Sequence, residues 1–425
     1  MIHQSLLTLV LAALLAVSAT QLAIAAEAAP QSPGPLGANV QDLLTWADEH
    51  NPELVAARHD VEAMEARLEP ASALDDPVFR MELLGIDRNN PDLSPNKVQS
   101  TKYTILQSFP IWGKRDLRRD VAQAELNQSK AKSAAARAEL HAQIKTAFAM
   151  FYQSRRSTEL TKEIAQLMAN VETIAQARYI NGIATQQDLI RAQTERIALR
   201  SELIALESEQ HHARTRLNFA LNRPSYAALV EPRELRPLPA VLDAAVLEQR
   251  LMAASPFLAN QAAQTEAVEK NRQLIEKNRY PDLTLGISPI QRGNSLDSWD
   301  AMLEIKIPLQ QGSRRGREQE AVSLLAAAQE RQQSQVNQIL GGFREAFDAL
   351  GNARAQVSLL KDSLLPQAEL TFESAVAGYQ AGKVDFSTLL DAQRQIKKTR
   401  LDILKAQVEQ DNRLTEIERL LGEEL

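Results

Sequence analysis

Residues 179–193 read YINGIATQQDLIRAQ, and residues 379–393, 200 positions later, read YQAGKVDFSTLLDAQ. Each places a glycine three residues after a tyrosine and follows it with the start of a helical pattern. The match continues on both sides. Ala175, Ala177, Tyr179, Gly182, Leu189, Ala192, Gln193 and Arg200 correspond to Ala375, Ala377, Tyr379, Gly382, Leu389, Ala392, Gln393 and Arg400. Gly182 and Gly382 supply the positive φ that a helix-ending turn needs. Each turn therefore joins a long helix to one that runs back beside it.

The long helices are read from their apolar spacing. The first spans about Gly113 to Arg178, with Leu160, Ile164, Leu167, Val171 and Ile174 alternating steps of four and three. The second spans about Gly316 to Gly378, with Val336, Leu340, Phe343, Phe347 and Leu350, then Val357, Leu360 and Leu364. This is a coiled-coil seam. At 1.5 Å per residue each helix is roughly 90–100 Å long. Pro366 is expected to kink the second. The returning helices span about Gln186 to Leu221 and Ser387 to Leu421.

Working further outward, NPELVAARHDVEA from Asn51 resembles SPFLANQAAQTEA from Ser255. DDPVFRMEL from Asp75 is placed like RYPDLTLGI from Arg279, and FPIWGKR from Phe109 like IPLQQGSRR from Ile307. Four motifs in one order, at intervals of about 200 residues, are the mark of a duplication. The first repeat is 41–225, the second 241–425, with a linker over 226–240.

Each repeat carries two strand-like segments with period-two alternation: Val78–Ile86 and Thr101–Phe109, then Asp282–Ser288 and Trp299–Ile307. One face is polar, with Arg80, Glu82, Lys102, Thr284, Glu304 and Lys306, as a water-filled lumen allows. Tyr103 and Trp299 sit near strand ends, where an interfacial girdle places aromatics. Polar loops are expected at about Asp87–Ser100 and Gln291–Ser298. Four strands cannot close a membrane barrel, which needs about eight, and an open edge in lipid leaves backbone groups unpaired. Several chains must therefore join, and three would supply twelve strands around a pore. The expected fold is mostly α with a small β part: two long antiparallel helical hairpins forming an α-barrel, plus four strands contributed to a trimeric transmembrane β-barrel.

Composition agrees. Of 425 residues 44% are hydrophobic but only 4% aromatic, which suits helices packed through Ala and Leu. The net charge of −6 lacks the basic excess of a nucleic-acid binder. With no cysteine, disulfides, thiolate metal sites and thiol catalysis are excluded. A short apolar run, Leu6 to Leu15, followed by Ala23-Ile24-Ala25 reads as a signal peptide over 1–25, and 26–40 as a flexible mature N-terminus. No phosphate loop, nucleophile elbow or zinc-protease motif occurs, so no catalytic residue and no cofactor is expected. Adjacent His211 and His212 point about 100° apart on a helix, which does not suit chelation. The basic KRDLRR from Lys114 is expected near the junction of barrel and helices.

Over nearly its whole mature length the sequence resembles the TolC-like outer-membrane efflux proteins. The likeness is carried by the duplicated plan, by GIATQQDLIRAQ from Gly182 and by GKVDFSTLLDAQRQ from Gly382. SFPIWGKRDLRRD from Ser108 with DDPVFRMELLGI from Asp75 looks most like the heavy-metal or cation-efflux branch. The resemblance implies a homotrimer with its barrel in outer-membrane lipid and its helices in the periplasm of a Gram-negative bacterium. It also implies a periplasmic adaptor and an inner-membrane pump, commonly of the resistance-nodulation-division class. It implies that the turns at Gly182 and Gly382 contact the adaptor. It sets Asp391 at a gate aspartate, Tyr379 at a tyrosine of the closed-state lock, and Asp188 at the equivalent acidic position of the first half. Thr388 stands where some members carry a second gate aspartate, and Val384 where the lock has an arginine. Three symmetry-related Asp391 carboxylates would form a cation-favouring ring; the alternative for Asp188 and Asp391 is that they are helix caps and first-turn charges. The resulting function is a passive efflux duct. Other readings are the duct of a type I protein secretion system and, in a different class, a periplasmic coiled-coil adaptor or scaffold.

Overall fold

The computed structural model describes residues 36–88 and 91–425. The expected signal peptide and the first ten residues of the expected flexible segment lie outside it. The first half runs α1 (Val40–His50), α2 (Pro52–Ala66), α3 (Leu68–Ser72), β1 (Val78–Leu84), β2 (Ser100–Phe109), α4 (Lys114–Ile180) and α5 (Gln186–Ala220). The second runs α6 (Ala244–Ala254), α7 (Pro256–Lys277), β3 (Asp282–Arg292), β4 (Ser295–Lys306) and α8 (Gln311–Ser358). A π-helical turn (Leu359–Leu364), α9 (Leu365–Gln380) and α10 (Phe386–Leu421) complete it.

Local chemistry explains the breaks. Asn39 accepts the Asp42 N–H at 2.9 Å and so caps α1. Asn51 accepts the Glu53 N–H at 2.8 Å, and Pro52 then opens α2 where a missing N–H costs nothing. α4 holds no Gly or Pro in its 67 residues and runs unbroken for about 100 Å. Its counterpart does not. The Leu365 N–H donates to the Leu360 carbonyl, five residues back. This register shift comes just before Pro366, which brings no N–H and whose ring crowds the preceding turn. The expected kink is thus resolved as a π turn.

The hairpins pack side by side, α4 against both α5 and α10. Near the tips one apolar cluster joins all four long arms, with Ile164, Met168 and Val171 of α4, Ala192 and Leu199 of α5, Phe372 of α9, and Phe386, Leu389 and Ile396 of α10. At the other end, α1 buries Leu43, Leu44 and Ala47 against Ile144, Phe148 and Phe151 of α4 and Leu217 of α5. α6 does the same with Leu247 and Leu251 against Phe343 and Leu350 of α8 and Ile417 and Leu420 of α10. Truncating a side chain such as Phe151 or Phe343, 1% and 0% exposed, is worth about 3–5 kcal/mol.

Between these layers lies a buried ionic knot. Arg236, from the segment joining the halves, donates to Asp411 at 2.8 Å, to Glu418, and to Thr415 at 2.8 Å. Lys145 of α4 reaches Glu418 at 2.9 Å. Burial pushes the Asp411 carboxyl up, against the opposing pull of Arg236.

The strands form one antiparallel sheet in the order β1-β2-β3-β4. Two expectations need correcting here. The polar loop expected at Gln291–Ser298 is a tight turn at 293–294, where Gly293 takes φ 58°, and β3 and β4 run on to Arg292 and from Ser295. Trp299 consequently lies inside β4, opposite Pro289, and not near a strand end; Tyr103 is likewise internal to β2. The sequence hid this because Asn, Asp and Ser around the turn read as loop although the backbone stays paired through them. Among the described residues no helix is long and apolar enough to cross a membrane.

Candidate functional site

The two hairpin tips are built alike. Gly182 and Gly382 take φ 73° and 74°. At the first tip the Gly182 N–H donates to the Tyr179 carbonyl at 2.9 Å and the Ile183 N–H to Arg178 at 2.8 Å. At the second, Gly382 donates to Tyr379 at 3.0 Å and Lys383 to Gly378 at 2.8 Å. These are paired Schellman closures, which satisfy the last carbonyls of each arm. The returning helices are capped by Thr185, which accepts the Asp188 N–H at 3.3 Å, and by Asp385, which accepts the Thr388 N–H at 2.9 Å. The Thr388 and Ser387 hydroxyls also donate to Asp385, and the three bonds hold its carboxyl at about 2.

Tyr379 is buried, 2% exposed, with its ring edge-on to Phe386 at 5.5 Å. The guanidinium of Arg178, from the other hairpin, lies 4.8 Å from the Tyr379 ring centroid and donates to the Gln380 carbonyl at 2.6 Å. Burial pushes the Tyr379 phenol up, the nearby Asp188 carboxylate adds to this, and Arg178 opposes it. Asp188 thus lies near Tyr379 across the hairpins, and the buried Tyr379 hydroxyl makes no hydrogen bond. Thr388 is exposed and engaged in the Asp385 cap; Asp391 is exposed one turn further along α10. Arg394, near Asp391, is bonded to Glu195 of α5 at 2.7 Å, and Lys397 to Glu202 at 2.7 Å, so α10 and α5 are tied by ion pairs below the tip.

Sequence reasoning did not find Arg178 or the two caps. Arg178 had a signal: position 378 of the other repeat is glycine, where an added Cβ would meet Val384 at 2.9 Å. The repeat diverges there because one half supplies a cation and the other needs the space.

In the sheet, strand register sorts the side chains. Glu82 faces Lys102, Arg80 faces Thr104, Ser108 faces Thr284, Thr284 faces Glu304, and Asp282 faces Lys306. Arg80, Glu82, Lys102, Thr284, Glu304 and Lys306 therefore share one face. Its hydroxyls are laddered, Thr104 to Ser288 at 2.9 Å and Ser108 to Thr284 at 3.1 Å, and Lys102 reaches Asp300 at 2.9 Å. The opposite face carries Phe79, Met81, Tyr103, Ile105, Leu285, Ile287, Trp299, Leu303 and Ile305. Phe79 and Trp299 are 65% and 63% exposed, so this apolar face is uncovered in the single chain. The outer edges of β1 and β4 have no strand partner among the described residues.

A sheet apolar on one face, polar on the other, open at both edges and continued by paired helical hairpins defines a channel-forming class of membrane protein. The sequence pattern of the family described as Outer membrane efflux protein matches residues 43–223 and 247–423. The chain belongs to that family, and its role is that of an outer-membrane efflux channel. It is 25% identical over 401 residues to the cobalt-zinc-cadmium resistance protein CzcC of Cupriavidus metallidurans, covering 92% of this chain and 91% of that one. Its fold is similar to the outer-membrane channel OprN, with a TM-score of 0.78, 18% identity and coverage of 90% and 89%. It is also similar to CusC, whose structures concern transmembrane channel formation, with a TM-score of 0.76, 17% identity and coverage of 91% and 92%.

Proposed function

We propose that three copies of this chain form one continuous duct, a twelve-stranded barrel in the outer membrane leading into an α-barrel in the periplasm of a Gram-negative cell. The carrying observation is the pair of free edges on a sheet with an exposed apolar face. Each β1 edge pairs with the β4 edge of the next copy, and the polar face with Arg80, Glu82, Lys102, Thr284, Glu304 and Lys306 lines the lumen. Tyr103 and Trp299 face lipid. The helices support the same assembly. Ile190, Ile197 and Ile204 recur every seventh residue on the free side of α5 and are 52–71% exposed, and Ile183, in the turn seven residues before them, is 62% exposed. Such a heptad stripe is a seam awaiting another helix, and α8–α9 of the next copy, with exposed Leu359 and Leu370, is its occupant.

The paired tips, with Gly182 and Gly382 at their turns, are the periplasmic entrance and the contact for an adaptor that couples the duct to an inner-membrane pump of the resistance-nodulation-division class. Tyr379 and Asp188 hold the entrance closed, and Asp391 from three copies favours cations in it. The parallel order of elements in the two halves supports division into repeats 41–225 and 241–425 with a linker at 226–240. Similarity to CzcC supports heavy-metal cations as cargo, and the chain carries no chemistry to change them.

Mass measurement in mild detergent tests the assembly. Three copies per particle, conducting ions in a planar bilayer, are expected; a conducting monomer would falsify the duct. Loss of the chain from its host should sensitise cells to cobalt, zinc or cadmium. Equal sensitivity would remove the metal cargo and leave the channel.

A further inference from the structure

We propose that the junction between the sheet and the long helices binds anionic phospholipid headgroups, through an aromatic pair, Trp112 and Tyr280, and the unpaired guanidiniums of Arg118, Arg119, Arg315 and Arg317. The proposal rests on the barrel reading above and adds a ligand class to it.

The order of side chains along the chain carries the argument. The apolar sheet face ends in register at Phe109, Leu283 and Ile305. Beyond β4 the chain stays apolar and uncovered, with Ile307 and Leu309 66% and 78% exposed. Next comes the aromatic pair. Trp112 stacks on Tyr280 with ring centroids 5.1 Å apart, and its indole N–H donates to the Pro281 carbonyl at 3.1 Å. Lys277 lies over the Tyr280 ring at 5.7 Å. Trp112 takes φ 65°, a conformation that bulky side chains rarely adopt, and its ring remains exposed.

Cations follow in both halves. Lys114, Arg115, Arg118 and Arg119 open α4, and Arg314, Arg315 and Arg317 open α8. The start of a helix is its positive end and favours anions, so these residues stand where the backbone field opposes them. The protein's own acids answer only some. Lys114 is buried on Asp282 at 2.8 Å. Arg279 spans Glu276 at 3.2 Å and Glu318 at 3.6 Å, which ties the start of α8 to the end of α7. Arg115 and Arg314 donate to the Ser72 and Pro308 carbonyls. Among the described residues Arg118, Arg119, Arg315 and Arg317 have no ion-pair partner, and Arg115 and Arg314 meet only neutral oxygens; the acids left nearby, Asp75, Asp76, Asp116 and Glu320, have no ion-pair partner either. Guanidiniums still outnumber carboxylates beside the aromatic pair. Apolar band, Trp and Tyr, then guanidinium is the profile of a membrane interface. There a lipid phosphate lies level with the cations and accepts paired N–H bonds from Arg.

The test uses the full chain purified in mild detergent and offered equal amounts of phosphatidylglycerol and phosphatidylcholine with the same acyl chains. Retained lipid is read by native mass spectrometry. The wild type should retain phosphatidylglycerol over phosphatidylcholine by about fivefold or more, given the usual pull of surface cations on anionic lipid. The combined Arg118→Gln, Arg119→Gln, Arg315→Gln, Arg317→Gln variant should retain both equally. Trp112→Gly, which accepts the same φ without strain, should lower retention of both. Equal retention by the wild type, or an unchanged preference in the combined variant, overturns the proposal. So does displacement of the lipid by inorganic phosphate in modest excess, which would make this a site for free phosphate. Conductance of the same preparations reports the channel separately: a conducting protein without lipid preference sinks only the headgroup site.

Discussion

Arg178 of one hairpin lies over the ring of Tyr379 of the other, 4.8 Å from its centroid. Its bond to the Gln380 carbonyl fixes the same tip, so one side chain holds both hairpins at the proposed entrance. Removing it should loosen the closed entrance. A partly buried cation–π contact with a charge-assisted hydrogen bond is worth about 2 kcal/mol, or roughly thirtyfold in the closed-to-open ratio. Arg178→Ala should therefore raise single-channel open time in a planar bilayer, while Arg178→Lys should fall between. Open times unchanged in both would remove the latch.

The two sheet faces should answer differently to charge. Ile287 faces the uncovered apolar side and Thr284 the hydroxyl-laddered side. In lipid, Lys on the apolar face near the midplane costs about 2–4 kcal/mol per chain. Ile287→Lys should deplete the protein from outer-membrane fractions, whereas Thr284→Lys should insert normally and shift ion selectivity toward anions. Equal insertion of the two variants would contradict the assigned faces.

The segment between α5 and α6 does more than connect them. Arg236 holds two buried carboxylates, Asp411 and Glu418, which are 5% and 4% exposed at the side chain. Arg236→Ala leaves them facing only Lys145, and loss of one partner from a buried ionic group costs about 3–5 kcal/mol. Thermal unfolding of the purified protein should begin markedly earlier. Arg236→Ala with Asp411→Asn should recover part of the loss, because the second change removes the uncompensated charge. No recovery would mean that Arg236 acts by packing alone.

What could be read in advance follows the physics of each element. Long arms without Gly or Pro, as in α4, leave a helix no competitor, so their extent was legible within a few residues. The Tyr-x-x-Gly turns were legible because a Schellman closure needs a residue at positive φ. Strand faces were legible from period two, as the pairing of Glu82 with Lys102 shows. The hairpin at Gly293 was not, since the polar residues around it signal loop whether or not the backbone is paired. Arg178 and Arg236 were not either. Their partners lie 175 or more positions away, and nothing local marks a contact made only when hairpins or halves dock.

Asp385 gives the tip a pH dependence of defined sign. Three donors, first the Thr388 hydroxyl, then the Thr388 N–H and the Ser387 hydroxyl, bring its carboxyl from 3.8 to about 2. A carboxyl with a lowered native pKa stabilises the fold above its unfolded value, and that contribution fades as pH falls through the native one. The first turn of α10 should thus be held fully above about pH 4 and released toward pH 2. Hydrogen exchange of the Ser387–Leu390 amides, corrected for the intrinsic pH effect, is the direct measurement. Asp385→Ala should exchange several-fold faster than wild type at neutral pH, and the difference should close near pH 2. Asp385→Asn keeps a good capping oxygen and should stay close to wild type at neutral pH while losing the pH dependence. If the Ala variant differs from wild type equally at both pH values, the ionised carboxylate is not what holds the turn.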